Sequence, residues 1–268
     1  MDPLEPEAEL VPRQEIEQLL ESDEGRIGDV YRLTKDGLSP QEIADRLNVA
    51  SYAFVYNNRR HIDAVLDGRG VVGPVFRRQT MGVFSSLILR GRAVLSGEAM
   101  KLLLANRAAV EAAGADEDPV TEATAASEEE REAASTLTSL DGVSGIYAFS
   151  YGWYLESPVD PSRGNTLIKV GQSVNVAQRI REHTSKARAH MPEPLTLIRV
   201  YSTDGRDVGK LEHGFHELLR TAGHNNPRRT GREVGVEWFL TNEDFLDAIA
   251  STLGLRTLYT GRSEFAAD

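Results

Sequence analysis

The 268-residue chain contains no cysteine. That excludes a disulfide framework, a thiolate-held zinc site and a cysteine nucleophile. No apolar run approaches the ~20 residues needed to span a bilayer, so no membrane partner is expected. The opening residues, Met1-Asp2-Pro3-Leu4-Glu5, are acidic and lack a signal-peptide pattern. A soluble cytoplasmic protein is the expectation. Large apolar groups are also scarce over residues 114–139, which are rich in Ala, Glu, Thr and Ser and read as a disordered or loosely helical linker.

The net charge of −11 looks wrong for a nucleic-acid binder, but its distribution matters more than its sum. Residues 1–24 hold nine acids and one base, and residues 111–142 hold ten acids and one base. Between them, residues 25–110 hold thirteen bases against seven acids. Residues 143–232 again hold thirteen bases, against eight acids. Two basic modules separated by acidic segments point to an anionic partner. The length suits one large or two modest domains. The divisions expected are an acidic arm (1–24), a helical domain (25–113), an acidic linker (114–142), a C-terminal domain (143–255) and a tail (256–268).

The first basic module has helical periodicity. Ser39-Pro40-Gln41-Glu42 supplies an N-cap, a first-position proline and an acid in the first turn. Ile43, Ala44 and Leu47 form the apolar stripe that follows, Asn48-Val49-Ala50 breaks it, and a further helix starts at Ser51 and ends at Gly68. This stretch resembles a helix-turn-helix, in which Val49 would plug the turn and the next helix would present its N-terminal end to the major groove. The residues it would expose to DNA are Ser51, Tyr52, Tyr56, Asn57, Arg59 and Arg60. A three-helix interaction domain without a DNA role fits the same pattern. Arg77, Arg78, Arg90 and Arg92 lie on later helices, where a solvated surface is the commoner explanation than phosphate contact.

From Gly142 the period changes. Strands are expected at Gly145–Tyr151, Thr166–Val170, Leu195–Tyr201 and Val236–Leu240, with a long loop from Gly152 to Asn165. Helices are expected after the Asn175 cap, with Val176, Ile180 and Ala187 on the core face, then around Val208–Leu218, and again from Asn242-Glu243. An α+β domain with a small antiparallel sheet and flanking helices follows from this order.

Within this domain Gly145-Ile146-Tyr147 is followed by Lys169-Val170-Gly171, then by Arg179 and Glu212. Arg179 with His183, and Glu212 with His216, each lie four apart beside a core residue, so each pair shares one helix stripe. Glu212 and His216 at that spacing also suit zinc, though without a fuller ligand set. Taken singly, each residue has an ordinary structural use: a strand tyrosine packs, and a helix glutamate is solvated.

The ordered set, over about 143–245, resembles the GIY-YIG nucleases, in a phage-associated branch with Lys-Ile-Gly in place of Tyr-Ile-Gly. The resemblance implies that Tyr147 lies near the attacking water, Arg179 contacts the phosphate, and Glu212 is the single carboxylate ligand of Mg²⁺ or Mn²⁺. It also makes His183 an active-site histidine, and Glu237-Trp238-Phe239 the element that closes the domain. Lys169 departs from the family tyrosine, and a lysine there binds phosphate or acts as a base when burial lowers its pKa. The family's late asparagine has no motif match; Asn225 and Asn226 are candidates by chemistry. The function implied is a metal-dependent DNA endonuclease targeted by its helical domain. The alternatives are a non-catalytic DNA-binding regulator with a nuclease-like domain and, less well matched to two basic modules, a protein adaptor.

Overall fold

The computed structural model describes residues 11–185, 193–227 and 236–266. The N-terminal part is helical: α1 (Pro12–Glu21), α2 (Arg26–Lys35), α3 (Pro40–Arg46), α4 (Ala53–Asp67), α5 (Pro74–Gly91), α6 (Gly97–Ala115) and α7 (Pro119–Ser139). Ser39 and Glu42 form a reciprocal capping box at the start of α3, each satisfying an N–H that the helix leaves open. Asn48 turns the chain with φ of 53°, in the left-handed region that asparagine tolerates. Val49, the next residue, is buried. Ile16, Leu20, Val30, Ile43, Val55, Val65, Phe84 and Leu103 form one apolar core.

The acidic arm carries α1, which buries Ile16, Leu19 and Leu20 in the helical core. Two expectations need correction. The acidic linker is mostly α7, an ordered helix. Alanine favours helix strongly enough to offset the shortage of large apolar groups, and Ala133, Leu137 and Leu140 supply a narrow packing stripe. Its Glu129 also accepts the backbone N–H groups of Val75 and Phe76 at 3.1 and 2.8 Å, stabilising the start of α5. The supposed tail contains a full strand. The expected position of Ala187 lies outside the described residues.

The C-terminal part runs β1 (Gly145–Tyr151), α8 (Gly152–Glu156), β2 (Thr166–Ser173), α9 (Val176–Thr184), β3 (Leu195–Ser202), α10 (Val208–Thr221), β4 (Trp238–Thr241), α11 (Glu243–Thr252) and β5 (Thr257–Phe265). The strands form one antiparallel sheet in the order β4-β2-β1-β3-β5. One face buries Ile146, Ala148, Ile168 and Val170 against Phe215, Leu219 and Leu246 of α10 and α11. The other packs Tyr147, Phe149, Leu197 and Val200 against Val176, Ala177 and Ile180 of α9, with Leu140 after α7. The alternation along β1 thus separates two chemistries, since odd and even residues face opposite helices.

The two parts are joined through backbone and charge. Thr257 of β5 donates to the Asn48 carbonyl at 3.1 Å and accepts from the Ala50 N–H at 2.8 Å. Beside this seam lies Arg199 of β3, 1% exposed. It meets Glu243 at 2.9 Å and Asp247 at 3.0 Å, both on α11. Tyr201 donates its hydroxyl to Asp247, and Arg26 of α2 reaches the same carboxylate at 2.8 Å. Burial works to raise both carboxyls. Arg262 and Arg199 overcome it at Glu243, and Arg199 and Arg26 at Asp247, so both titrate below the ordinary carboxylate range.

Removing one partner of a buried ionic cluster strands the others. Arg199→Met should therefore lower unfolding free energy by about 3–5 kcal/mol in urea titrations at neutral pH. Because the two carboxyls are depressed, their stabilisation is present above about pH 4 and is lost as pH falls through their folded values. The gap between wild type and variant should narrow on acidification.

Candidate active site

The motif glycines are fixed by close approach. Tyr147 on β1 stands directly across from Gly171 on β2. A Cβ at Gly171 would lie 2.6 Å from the Tyr147 hydroxyl and 2.8 Å from its ring carbon. A Cβ at Gly145 would lie 2.6 Å from the Tyr201 carbonyl oxygen. The two spaced triplets are therefore one piece of geometry: two adjacent strands with a tyrosine laid over a bare backbone.

That tyrosine is buried, and its hydroxyl is 3.0 Å from Nε2 of His183 on α9. Arg179, one turn earlier, interacts with the same hydroxyl and ion-pairs with Glu182 at 2.8 Å. Burial raises the Tyr147 pKa and Arg179 opposes the rise, so the phenol stays protonated at neutral pH. Glu182 and Tyr147 both favour the charged guanidinium of Arg179.

On the same sheet face, one residue pair along, Phe149 stands across from Lys169, which pairs in turn with Trp238 of β4. The Lys169 ammonium lies 3.0 Å from Glu237 and 5.7 Å from the Phe149 ring centre. Glu212 of α10 is half-buried and faces this group. Burial and then the Glu237 charge push its carboxyl above the ordinary range, while the Gln172 backbone N–H, Lys169 and Arg179 pull it back. Tyr147, Lys169, Arg179, His183 and Glu212 thus meet at one end of the sheet.

Sequence reasoning assigned Glu237 only to the domain's closing element. Only the β2–β4 pairing, which sets Trp238 across from Lys169, brings Glu237 to the site. His216 does not join the group. It is buried, its Nε2 lies 2.9 Å from the Val170 carbonyl, which requires an N–H there, and burial lowers its pKa. No cluster of three metal-binding side chains occurs among the described residues, so Glu212 and His216 are not joined there by a third zinc ligand. Asn225 lies past the end of α10, with its side-chain amide 3.5 Å from the Arg220 carbonyl.

The DNA-contact residues expected on α4 divide. Tyr52 and Tyr56 are 48% and 51% exposed and meet edge to face. Ser51 is exposed and accepts the Ala53 N–H. Asn57 lines a cleft of about 760 Å³ between the helical part and the sheet. Arg59 instead donates to Thr34 and the Leu38 carbonyl, and Arg60 lies 3.9 Å above the Phe76 ring. These two arginines already have partners within the helical part.

If the Tyr147–Gly171 approach organises the site, Gly171→Ala should destabilise the protein by about 1–3 kcal/mol, the usual overpacking range. It should also disturb the His183 ring resonances in NMR spectra. An unchanged His183 environment would separate the glycine from the site.

The comparison with known families falls on this same stretch. No curated protein and no solved structure matches the chain. Residues 146–254 match the family model described as the T5orf172 domain, and Tyr147, Lys169, Arg179, His183, Glu212 and Glu237 all lie within the match.

Proposed function

We propose that the chain is a metal-dependent DNA endonuclease of GIY-YIG type. The observation that supports this best is the meeting of Tyr147, Lys169, Arg179, His183 and Glu212 around the Tyr147–Gly171 crossing. The T5orf172 domain is phage-associated and often nuclease-like, which agrees with a DNA-related role.

The residues present suit Mg²⁺ or Mn²⁺. Glu212 is a carboxylate raised by burial beside a second carboxylate, Glu237, a pairing that a cation relieves. Such ions are commonly held by one or two carboxylates, with water and phosphate oxygens completing the shell, so a single ligand is enough. When bound, the ion would polarise the scissile phosphate and lower the pKa of water.

Each protein group then has a separate task. Arg179 exchanges its Glu182 contact for the phosphate, where its planar fork can bridge two oxygens. Lys169 adds a second positive charge. Tyr147 keeps its proton, so it orients water and passes hydrogen bonding to His183 rather than acting as phenolate. The His183 imidazole, bonded to that hydroxyl, is the neighbouring group placed to accept a proton through it. The helical part, net +6 over residues 25–110, supplies DNA affinity, with Ser51, Tyr52, Tyr56 and Asn57 as its contact residues.

Glu212→Gln should leave the fold intact and abolish Mg²⁺- or Mn²⁺-dependent cleavage of plasmid DNA; wild-type cutting by this variant would end the proposal. Arg179→Lys should lower turnover by about 10²-fold or more, with DNA binding nearly unchanged.

Cleavage should also show an acid limb, because Glu212 works as a carboxylate. Without metal, burial and then the Glu237 charge raise this carboxyl, so protons compete with the cation for it. Glu237→Gln removes a repelling charge and leaves Lys169 unneutralised. Both changes favour ionised Glu212, so the acid limb should move to lower pH in rate profiles. A shift to higher pH would contradict this electrostatic assignment.

A further inference from the structure

The sheet face that holds Tyr147 continues into aromatic residues that the proposed chemistry does not use. Tyr147 stacks with Phe149 at 6.1 Å between ring centres. Phe149 meets Trp238 edge-on at 5.8 Å. Trp238 and Tyr151 are nearly parallel, at 19° and 5.9 Å. Tyr151 and Trp238 are only partly buried. β4, which carries Trp238, is the last strand of the sheet, and beyond its β2 pairing it bridges to Asn225 at Phe239 and donates from Leu240 to the His224 carbonyl. Lys169 stands between Phe149 and Trp238 in the strand register.

A partly open aromatic strip interleaved with cations is the arrangement that binds unpaired nucleic-acid strands: rings take the base faces, and cations track the phosphates. Bases inside a duplex have both faces covered by their neighbours. A ring beside the scissile phosphate therefore gains nothing from intact duplex and gains stacking only from a base that is unpaired or extruded.

We propose, resting on the nuclease reading above, that Trp238 and Tyr151 form a stacking platform for an unpaired nucleobase next to the scissile phosphate. The substrate class is then DNA carrying unpaired nucleotides at the cleavage point. Lys169 and Arg179 hold the flanking phosphates, and Trp238 is a specificity-determining residue rather than a catalytic one.

The test separates stacking from cleavage by using full-length protein carrying Glu212→Gln without divalent metal. The chain has two tryptophans, Trp153 and Trp238, so a Trp153→Phe background leaves Trp238 as the single reporter. The probes are a duplex of about twenty base pairs with one unpaired 2-aminopurine and the same duplex fully paired. The unpaired probe should bind on the order of tenfold more tightly, with mutual quenching of Trp238 and 2-aminopurine. Trp238→Leu and Tyr151→Leu should each reduce that preference, and Trp238→Phe should retain most of it.

Melting curves identify any variant that fails to fold. The quenching in the Trp153→Phe background does not depend on those variants. Equal affinity for the two probes, or absence of quenching on the unpaired one, overturns the platform. A preference that survives in folded Trp238→Leu also overturns it. These outcomes are independent of the nuclease reading, which fails instead if wild-type protein with metal cuts neither probe.

Discussion

A guanidinium at the centre of a sheet is a demanding thing to bury, and Arg199 makes the surrounding architecture answer to it. Its strand must lie where two carboxylates one turn apart on α11 can reach it, and a phenol must complete the shell. Asp247 then has an oxygen that Arg26 of α2 takes up. One charge in β3 thereby links α11, the sheet and the helical part. The Thr257 pairing with Asn48 and Ala50 extends the same seam through backbone atoms. A cluster of this kind is poor evidence of extra stability compared with an apolar core, because desolvation opposes it. What it supplies is a condition on orientation: few placements of the helical part satisfy Asp247 and Thr257 together.

The two faces of β1 divide this work. Ala148 pairs with Arg199, so the even-numbered face belongs to the structural cluster and the α10–α11 core. Tyr147, Phe149 and Tyr151 point to the other side, where α9 brings Arg179 and His183. Substitutions on the first face act through folding, whereas those on the second act through geometry around the Tyr147 hydroxyl. Glu212 is the exception, since it comes from α10 but reaches the end of β2 near Gln172. The site therefore sits at the end of the sheet, where both layers contribute.

The site was legible in the sequence because its requirements are local. Gly145 and Gly171 admit no side chain, so their triplets mark where backbone and ring must approach. Arg179, His183 and Glu212 follow from helix spacing around Ile180 and Leu211. What escaped was non-local. Nothing in the residues Thr257–Phe265 says that they pair with β3, so a strand read as a tail. Arg199 sat in a clean strand alternation, and only tertiary contact shows that it faces inward toward α11. Glu237 lies 68 residues after Lys169 in sequence, and the β2–β4 pairing brings it back. The acidic linker failed for another reason: composition argued against a core of its own, but α7 borrows one from its neighbours.

That last point changes how the charge is understood. A net of −11 and a linker of nine acids run against DNA binding. Several of those acids are already committed inside the molecule. Glu117 and Glu122 pair with Arg77, and Glu129 caps the first turn of α5. Asp23, from the acidic arm, pairs with Arg90. The ion pairs also neutralise Arg77 and Arg90, bases that sequence counting assigns to the basic module, so the usable positive surface there is smaller than +6 suggests. Arg59 is half-buried on Thr34 and Leu38, and Arg60, though exposed, lies over the Phe76 ring. On the physical picture, the exposed part of α4 offers a DNA strand aromatic and polar contacts more than charge. The cations nearest the candidate site, the largely buried Lys169 and the half-buried Arg179, are held by the more exposed carboxylates of Glu237 and Glu182. Pairs open to solvent on the carboxylate side are weak, on the order of 1 kcal/mol or less, so an incoming phosphate can displace them. The attraction that the proposed function requires thus comes from exchanging Glu237 and Glu182 for phosphate at Lys169 and Arg179 rather than from charge spread over the helical part.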